Sequence, residues 1–302
     1  MQTLADEQVV SGSVGETIQR GPFGTFGISR SQDWLRSRAA GLPGGRVGRA
    51  GASIVRCLMA LRGRGTYDVE VFPTINVRLY PTTNICEKRV LAAAHFFDAQ
   101  ERAFLDSAVA SSTSKPFVFL DLGANVGLYG LSVLSCARRL KRDIKVMSVE
   151  PDPTTRSRLI ENIKFSNASD KFIVESCGVG SARGTGDMVG HADNRGQHRV
   201  ITDTTGALGS IEIVPLLDLC QRHSITSIDA VKIDIEGMDF EVLSSFFASA
   251  PRSLYPRAII VEVPDGVNPP VVALCEKYGY RIVKLTALNA ILTCAEAPNG
   301  NC

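Results

Sequence analysis

The sequence has no run of about 18 apolar residues, so no segment of it can cross a bilayer as a helix. Its opening, MQTLADEQVV, carries acids where a secretory leader needs Lys or Arg, and no apolar stretch follows. No leader is expected. Paired cysteines are also missing. The eight cysteines (Cys57, Cys86, Cys136, Cys177, Cys220, Cys275, Cys294 and Cys302) never stand closer than eight residues apart. That spacing excludes CxxC redox motifs and zinc-finger patterns. Several lie in apolar stretches, where a free thiol behaves as a small hydrophobe, and a reduced, cytoplasmic setting is the expectation. A formal net charge of +2 provides no protein-wide surface for nucleic acid. With 44% apolar and 21% charged residues, the composition is that of an ordinary globular protein.

Charge and glycine are unevenly placed. Residues 1–65 hold nine Arg, no Lys and four acids, a net +5 that leaves the other 237 residues at −3. Twelve of the 27 glycines fall there too. Such a composition buries little, so residues 1–65 read as an Arg/Gly-rich flexible segment and residues 66–302 as the folded domain. Within the segment, GASIVRCLMALRGRG sets Ile54, Leu58 and Leu61 at helical spacing beside Arg56, Arg62 and Arg64. The expected reading of residues 51–65 is a short helix packed on the domain. The alternative is a basic amphipathic helix touching a membrane surface or an acidic partner.

From about residue 66 the texture changes. VEVFPTINVRLYP alternates like strand, and Cys86–Val109 reads as helical. Short β-branched or apolar runs then alternate with amphipathic helical stretches. The runs are Phe117–Asp121, Ile144–Val149, Phe172–Cys177, Ala230–Ile233, Ala258–Val263 and Arg281–Leu285, and Ala290–Cys294 follows close behind. This alternation predicts an α/β fold, a mostly parallel sheet covered by helices on both faces. The last pair leaves no room for a crossover helix, so it should form an antiparallel C-terminal hairpin at the sheet edge. Between Cys177 and Ala230 the chain exceeds what one helix needs. There GHADNRGQHRVITDTTGALGSIEIV is polar and Gly-rich with two short strand-like pieces, and LLDLCQRH follows as a helix. Long loops at the carboxyl edge of such sheets commonly carry function.

FVFLDLGANVGLYG combines a buried strand, an acid at its end, a turn with Gly123 and Gly127, and a helix opening with Leu128. Ligands of open α/β sheets bind at strand carboxyl ends. Gly123 would let the backbone approach a ligand, and Gly127 would let the helix pack on the strand. The free N–H groups of the helix start suit a carboxylate, and Asp121 can face an ammonium group. A dinucleotide fingerprint requires G-x-G-x-x-G and an acid about 20 residues on. Here Asn125 and Leu128 occupy the second and third glycine positions, and the strand-end acid, Glu150, comes 27 residues after Gly123. Glu150 can still accept both hydroxyls of an adenosine ribose. The pattern favours S-adenosyl-L-methionine over a nicotinamide dinucleotide.

A second constellation is DAVKIDIEGMDFEVL. Lys232, Asp234 and Glu236 alternate and should share one face near the open end of the fourth strand, across from Asp121. AIIVEV sets Glu262 at the end of the fifth strand. A hydroxyl acceptor needs a base, for which Glu236, Glu262, His191 and His198 are the candidates. His95 and His223 lie in helical stretches and read as structural. Asp234, Glu236 and Glu262 offer hard oxygen ligands to a metal, but the cation of Lys232 beside them opposes one. No metal site is expected.

At these residues the chain resembles the FkbM family of methyltransferases. DLGANVG at Asp121–Gly127, VEPDP at Val149–Pro153, ENI at Glu161–Ile163 and VKIDIEGMDFEVL at Val231–Leu243 match in order. IIVEV at Ile259–Val263 and YGYRIVKL at Tyr278–Leu285 complete a resemblance running from about residue 85 to 294. It implies a Rossmann-like class I methyltransferase fold with a seven-stranded sheet. It also implies S-adenosyl-L-methionine as cofactor and O-methylation of hydroxyls on sugars, glycans or secondary metabolites. By the resemblance, Asp121, Gly123, Asn125 and Gly127 form the methionine-side turn, and Glu150 is the ribose acid. Pro151 and Asp152 would lie beside the adenine, with Cys177 and Gly178 bordering it. Asp234 and Glu236 would be signature acids of the reaction cleft. Two other readings stand beside it: a non-catalytic adenosyl-binding scaffold, and a nucleic-acid methyltransferase using the Arg-rich N-terminus.

Overall fold

A computed structural model describes residues 20–60, 65–189, 199–202, 211–235, 237–263 and 269–294. The chain begins with helices α1 (Arg30–Ala40) and α2 (Arg46–Ala60), which pack on each other and on α3 (Ile85–Ala93). A capping box starts α1: the Ser29 side chain accepts the Gln32 N–H, and the Gln32 side chain accepts the Ser29 N–H. Residues 20–60, assigned from composition to a flexible segment, thus carry two helices packed on the domain. Composition understated how much they bury. Ala39, Ala52 and Met59 lie in the interior, and the Asp68 carboxylate accepts the N–H groups of Gly24 and Phe26 at 2.8 and 3.0 Å.

β1 (Tyr67–Phe72) and β2 (Ile75–Leu79) form an antiparallel pair, tied by a buried ion pair between Asp68 and Arg78 at 2.7 Å. The helical stretch expected over Cys86–Val109 is broken. After α3 a short 3-10 turn spans Ala94–Phe96, and α4 (Ala99–Ser111) starts behind Asp98, whose φ is +37°.

The central strands are β3 (Phe117–Leu122), β4 (Ile144–Val149) and β5 (Phe172–Glu175). A separate four-stranded sheet follows, with β6 (Gly178–Gly180), β7 (Gly184–Val189), β8 (Arg199–Thr202) and β9 (Ile211–Pro215). The main sheet resumes with β10 (Ala230–Ile233), β11 (Ala258–Glu262), β12 (Tyr280–Leu285) and β13 (Asn289–Cys294). Its seven strands run in the order β12-β13-β11-β10-β3-β4-β5. β10, β11, β3, β4 and β5 pair in parallel, while β13 is antiparallel to both β11 and β12. The expected seven-stranded, mostly parallel sheet is present. The hairpin refines the expectation: β13 inserts between β11 and β12, so of the two hairpin strands β12 lies at the sheet edge.

Alternation along β3 assigns the two cores. Phe117 and Phe119 pack under α4, α5 (Leu128–Leu140) and α6 (Pro153–Phe165). Val118, Leu120 and Leu122 pack under α7 (Leu216–Arg222), α8 (Asp239–Ser249) and α9 (Pro270–Lys277). Both faces are thus covered, and the carboxyl ends of β3, β4 and β10 are left to form a cleft.

Candidate active site

β3 runs into a turn that a chain of ordinary residues could not follow. Gly123, Asn125 and Gly127 all take positive φ, at +78°, +52° and +85°. Gly123 lines the cleft and has a second role in packing. A β-carbon there would stand 2.0 Å from the main-chain oxygen of Asp234, so the glycine admits the neighbouring strand's exit. At Gly127 a β-carbon would meet Leu159 Cδ1 at 2.4 Å, which fixes the approach of α6. Asn125 is held in its left-handed conformation from two sides. Its N–H donates to Glu150 Oε2 at 2.8 Å, and its side-chain oxygen accepts from Asn84 Nδ2 at 2.7 Å. Asn84 in turn caps α3 by accepting the N–H groups of Cys86 and Glu87. Asn162 of the ENI motif is fully buried, donating to the Val126 carbonyl at 3.1 Å and accepting the Arg78 N–H at 2.8 Å.

α5 opens directly on the cleft without a side-chain cap, so its first turn presents positive dipole and N–H groups where Val126, Leu128 and Tyr129 line the wall. An anionic group fits that position. At the end of β4, Glu150 is oriented by two N–H donors, Asn125 on Oε2 and Asp152 on Oε1. A carboxylate keeps further lone pairs for cleft-side donors such as paired hydroxyls. Burial pushes Glu150 up to about 7, and the Asp152 and Asn125 hydrogen bonds offset only part of that.

Asp121 and Lys232 are register partners on adjacent parallel strands and share the α5 face of the sheet. Burial raises Asp121 to about 7 against the pull of Lys232 and of the Gly130 N–H, which donates to Oδ2 at 3.2 Å. Burial works against the Lys232 cation, yet Asp234, at 3.0 Å, and Asp121 together hold its pKa above the usual lysine value. A buried charge needs this compensation. Lys232 also lies 5.5 Å from the ring centre of Tyr129.

These groups line an open cleft whose non-atom space, including the solvent at its mouth, is about 670 Å³. Its far wall comes from Cys86 at the start of α3 and from Phe97 and Asp98 in the break between α3 and α4. Asp98 occupies the cap position of α4 but makes no side-chain cap, and instead accepts the Tyr129 hydroxyl proton at 2.9 Å. Burial raises its pKa, partly countered by that hydrogen bond. Asp98, Tyr129 and Asn84 were not anticipated. Asp98 reads as an ordinary helix residue in a continuous amphipathic stretch, and only the broken helix reveals it.

Of the expected site residues, Asp121, Gly123, Asn125, Glu150 and Asp234 line the cleft together. Gly127 shapes the turn from behind. Asp152 sits behind Glu150, where it caps α6 by accepting the Thr155 N–H at 2.6 Å, and the Pro151 carbonyl holds Arg156. Cys177 is buried in the core beneath α7 to α9, and Gly178 pairs with Ile213 in the small sheet; neither lines the cleft. Among the catalytic candidates, Glu262 is half-buried at the end of β11, outside the cleft lining. Glu236, His191 and His198 lie outside the described residues. His223 holds Glu175 at 2.5 Å, away from this cleft. Among the described residues no three His, Cys, Asp or Glu side chains gather as a metal site, and the described cysteines are free.

The profile of the methyltransferase FkbM domain matches residues 121–282. Methyltransferase sdnD of Sordaria araneosa is 24% identical over 208 residues, which cover 58% of this chain and 78% of that protein. Hexuronic acid methyltransferase AglP of Haloferax volcanii is 29% identical over 175 residues, 57% of this chain and 66% of its own length. The crystal structure of a methyltransferase FkbM from Methylobacillus flagellatus superposes with a TM-score of 0.37 at 15% identity, over 68% of this chain and 54% of that one.

Proposed function

The chain belongs to the methyltransferase FkbM family, and from that premise we propose that it uses S-adenosyl-L-methionine to methylate a hydroxyl oxygen of a sugar, glycan or secondary metabolite. One observation carries the reading: the acids Asp121 and Glu150 and the uncapped start of α5 face one cleft at the carboxyl ends of β3 and β4. Those three features match a ligand with an ammonium, a ribose and a carboxylate. Asp121 would take the ammonium, Glu150 the ribose hydroxyls, and the first turn of α5 the carboxylate. Gly123, Asn125 and Gly127 shape that turn. Pro151 and Asp152 are proposed to support the adenine end, Asp152 by orienting Glu150.

When bound, the cofactor supplies an electrophilic methyl group on a sulfonium. The chain's own part is alignment, which accounts for about 7–11 kcal/mol of such barriers, and removal of the acceptor's proton. Glu236, Glu262, His191 and His198 are the proposed bases, and the cleft adds Asp98. Its carboxylate is half-buried, raised in pKa and turned away from its helix toward Tyr129. Lys232 and Asp234 keep the floor of the cleft charged and fixed. The name of the relative from Haloferax makes hexuronic-acid-bearing glycans the first acceptors to try.

Calorimetric titration with S-adenosylhomocysteine tests the proposal. Binding is expected, and it should be lost in Asp121→Ala and Glu150→Ala. No binding at millimolar ligand would remove the reading, and binding that survives both substitutions would misplace the site.

A further inference from the structure

α2 buries one side and leaves another bare. Ala52 and Met59 face the interior, and Gly48 brings the helix so close to the Phe96 ring that a β-carbon would meet it at 2.8 Å. Val47, Ile54 and Leu58, at positions i, i+7 and i+11, lie together on the outer side with 79%, 62% and 42% of their surface exposed. Scattered exposed aliphatics are common, but three aligned on one helix face form a stripe. The segment that carries the stripe is strongly basic. Residues 20–60 contain seven arginines and a single acid, Asp33. Arg20, Arg30, Arg38, Arg46 and Arg49 are exposed, and the Arg38 guanidinium lies 5.3 Å from the ring centre of Trp34, the only tryptophan in the chain.

We propose that α1 and α2 form a docking surface for an anionic lipid bilayer, with Val47, Ile54 and Leu58 entering the headgroup boundary and the arginines pairing with lipid phosphates. An aliphatic stripe beside exposed arginines is the pattern of helices that lie in the interface plane. Charge decides among the occupants. A second copy docking about a two-fold axis would set arginines against arginines. A nucleic acid would match the charge, but three aliphatic side chains give bases neither hydrogen bonds nor stacking planes. The location suits a membrane-borne acceptor, because α3, on which both helices pack, contributes Cys86 to the cleft wall. The lipid surface itself stands independently of the methyl-transfer reading.

Co-sedimentation of the full chain with phosphatidylcholine vesicles, with and without phosphatidylglycerol, tests this. The wild type should sediment only with the anionic vesicles and be released by salt. The double variants Ile54→Asp/Leu58→Asp and Arg46→Glu/Arg49→Glu should each lose about tenfold or more of that binding. Both should retain the wild-type melting temperature and S-adenosylhomocysteine titration, since they alter exposed positions only. Failure to sediment at low salt, or sedimentation unchanged in the double variants, would overturn the proposal. A dimer in light scattering that dissolves in Ile54→Asp/Leu58→Asp would assign the stripe to a second copy instead. RNA binding lost with the arginines, without any vesicle binding, would assign the surface to nucleic acid.

Discussion

The α-carbon of Gly123 approaches the carbonyl of Asp234 so closely that a β-carbon there would lie 2.0 Å from its oxygen. The glycine turn and the KIDIEG segment, more than a hundred residues apart in sequence, are therefore one mechanical unit. Asp234 N–H also donates to the Leu122 carbonyl at 3.0 Å, which closes the contact from the other side. Gly123→Ala combines a backbone clash with a positive φ. It is expected to destabilise the fold by about 2 kcal/mol or more and to abolish S-adenosylhomocysteine binding. Thermal melting and calorimetry read the two effects separately.

Burial holds Asp121 and Glu150 at about 7, far above the usual carboxylate range. Each carboxyl binds its proton more tightly in the folded than in the unfolded chain. The stability this contributes is complete below about pH 4 and is lost as pH rises through about 7. The melting temperature of the ligand-free protein should fall across that upper range, and fall less in Asp121→Asn/Glu150→Gln. Ligand affinity should move the opposite way. An ammonium and ribose hydroxyls call for ionised acids, so titrations should show weaker binding as pH drops through about 7.

Asn162 joins the turn to β2 through its two hydrogen bonds, to Val126 and Arg78, with no exposure to water. In Asn162→Ala both main-chain groups lose their partner at a buried site. The expected cost is about 1–3 kcal/mol for each group, with weaker S-adenosylhomocysteine binding because the turn loosens. A denaturant titration gives the first number and calorimetry the second.

The buried ion pair of Arg158 with Glu87, at 3.0 Å, ties α6 to α3 behind the cleft. Arg158→Met leaves a buried carboxylate without its cation and should cost about 3–5 kcal/mol. Adding Glu87→Gln should recover much of that, because the uncompensated charge is gone. A double-mutant cycle on urea midpoints measures the coupling.

Asp98→Asn keeps the shape of the Tyr129 contact but removes the proton acceptor. If Asp98 serves as base, turnover should fall about a hundredfold or more while S-adenosylhomocysteine affinity changes little. Parallel Glu236→Gln, Glu262→Gln, His191→Ala and His198→Ala variants identify the residue whose loss removes the acid limb of the pH–rate profile. That residue is the base.

The residue pattern alone determined the sheet. β4 and β10 fall on the expected residues, and the other main strands differ by one or two at an end, because a strand buried on both faces must be written in apolar residues with turn signals around it. It also picked out three acids that line the cleft. Asp121, Glu150 and Asp234 stand at strand ends, and a charge closing an apolar run has few places to go except a cleft. Tertiary structure decided three things. It showed that residues 20–60 fold despite their glycines and arginines, because Asp68 and α3 supply the partners that composition cannot reveal. It separated Cys177 and Gly178 from the cleft by sending the chain into a second sheet. It brought in Asp98 and Tyr129, since a helix break and a side chain that forgoes capping its own helix depend on contacts from elsewhere in the chain. Local patterns record which side chains must be buried; which of them meet is set by packing between distant segments.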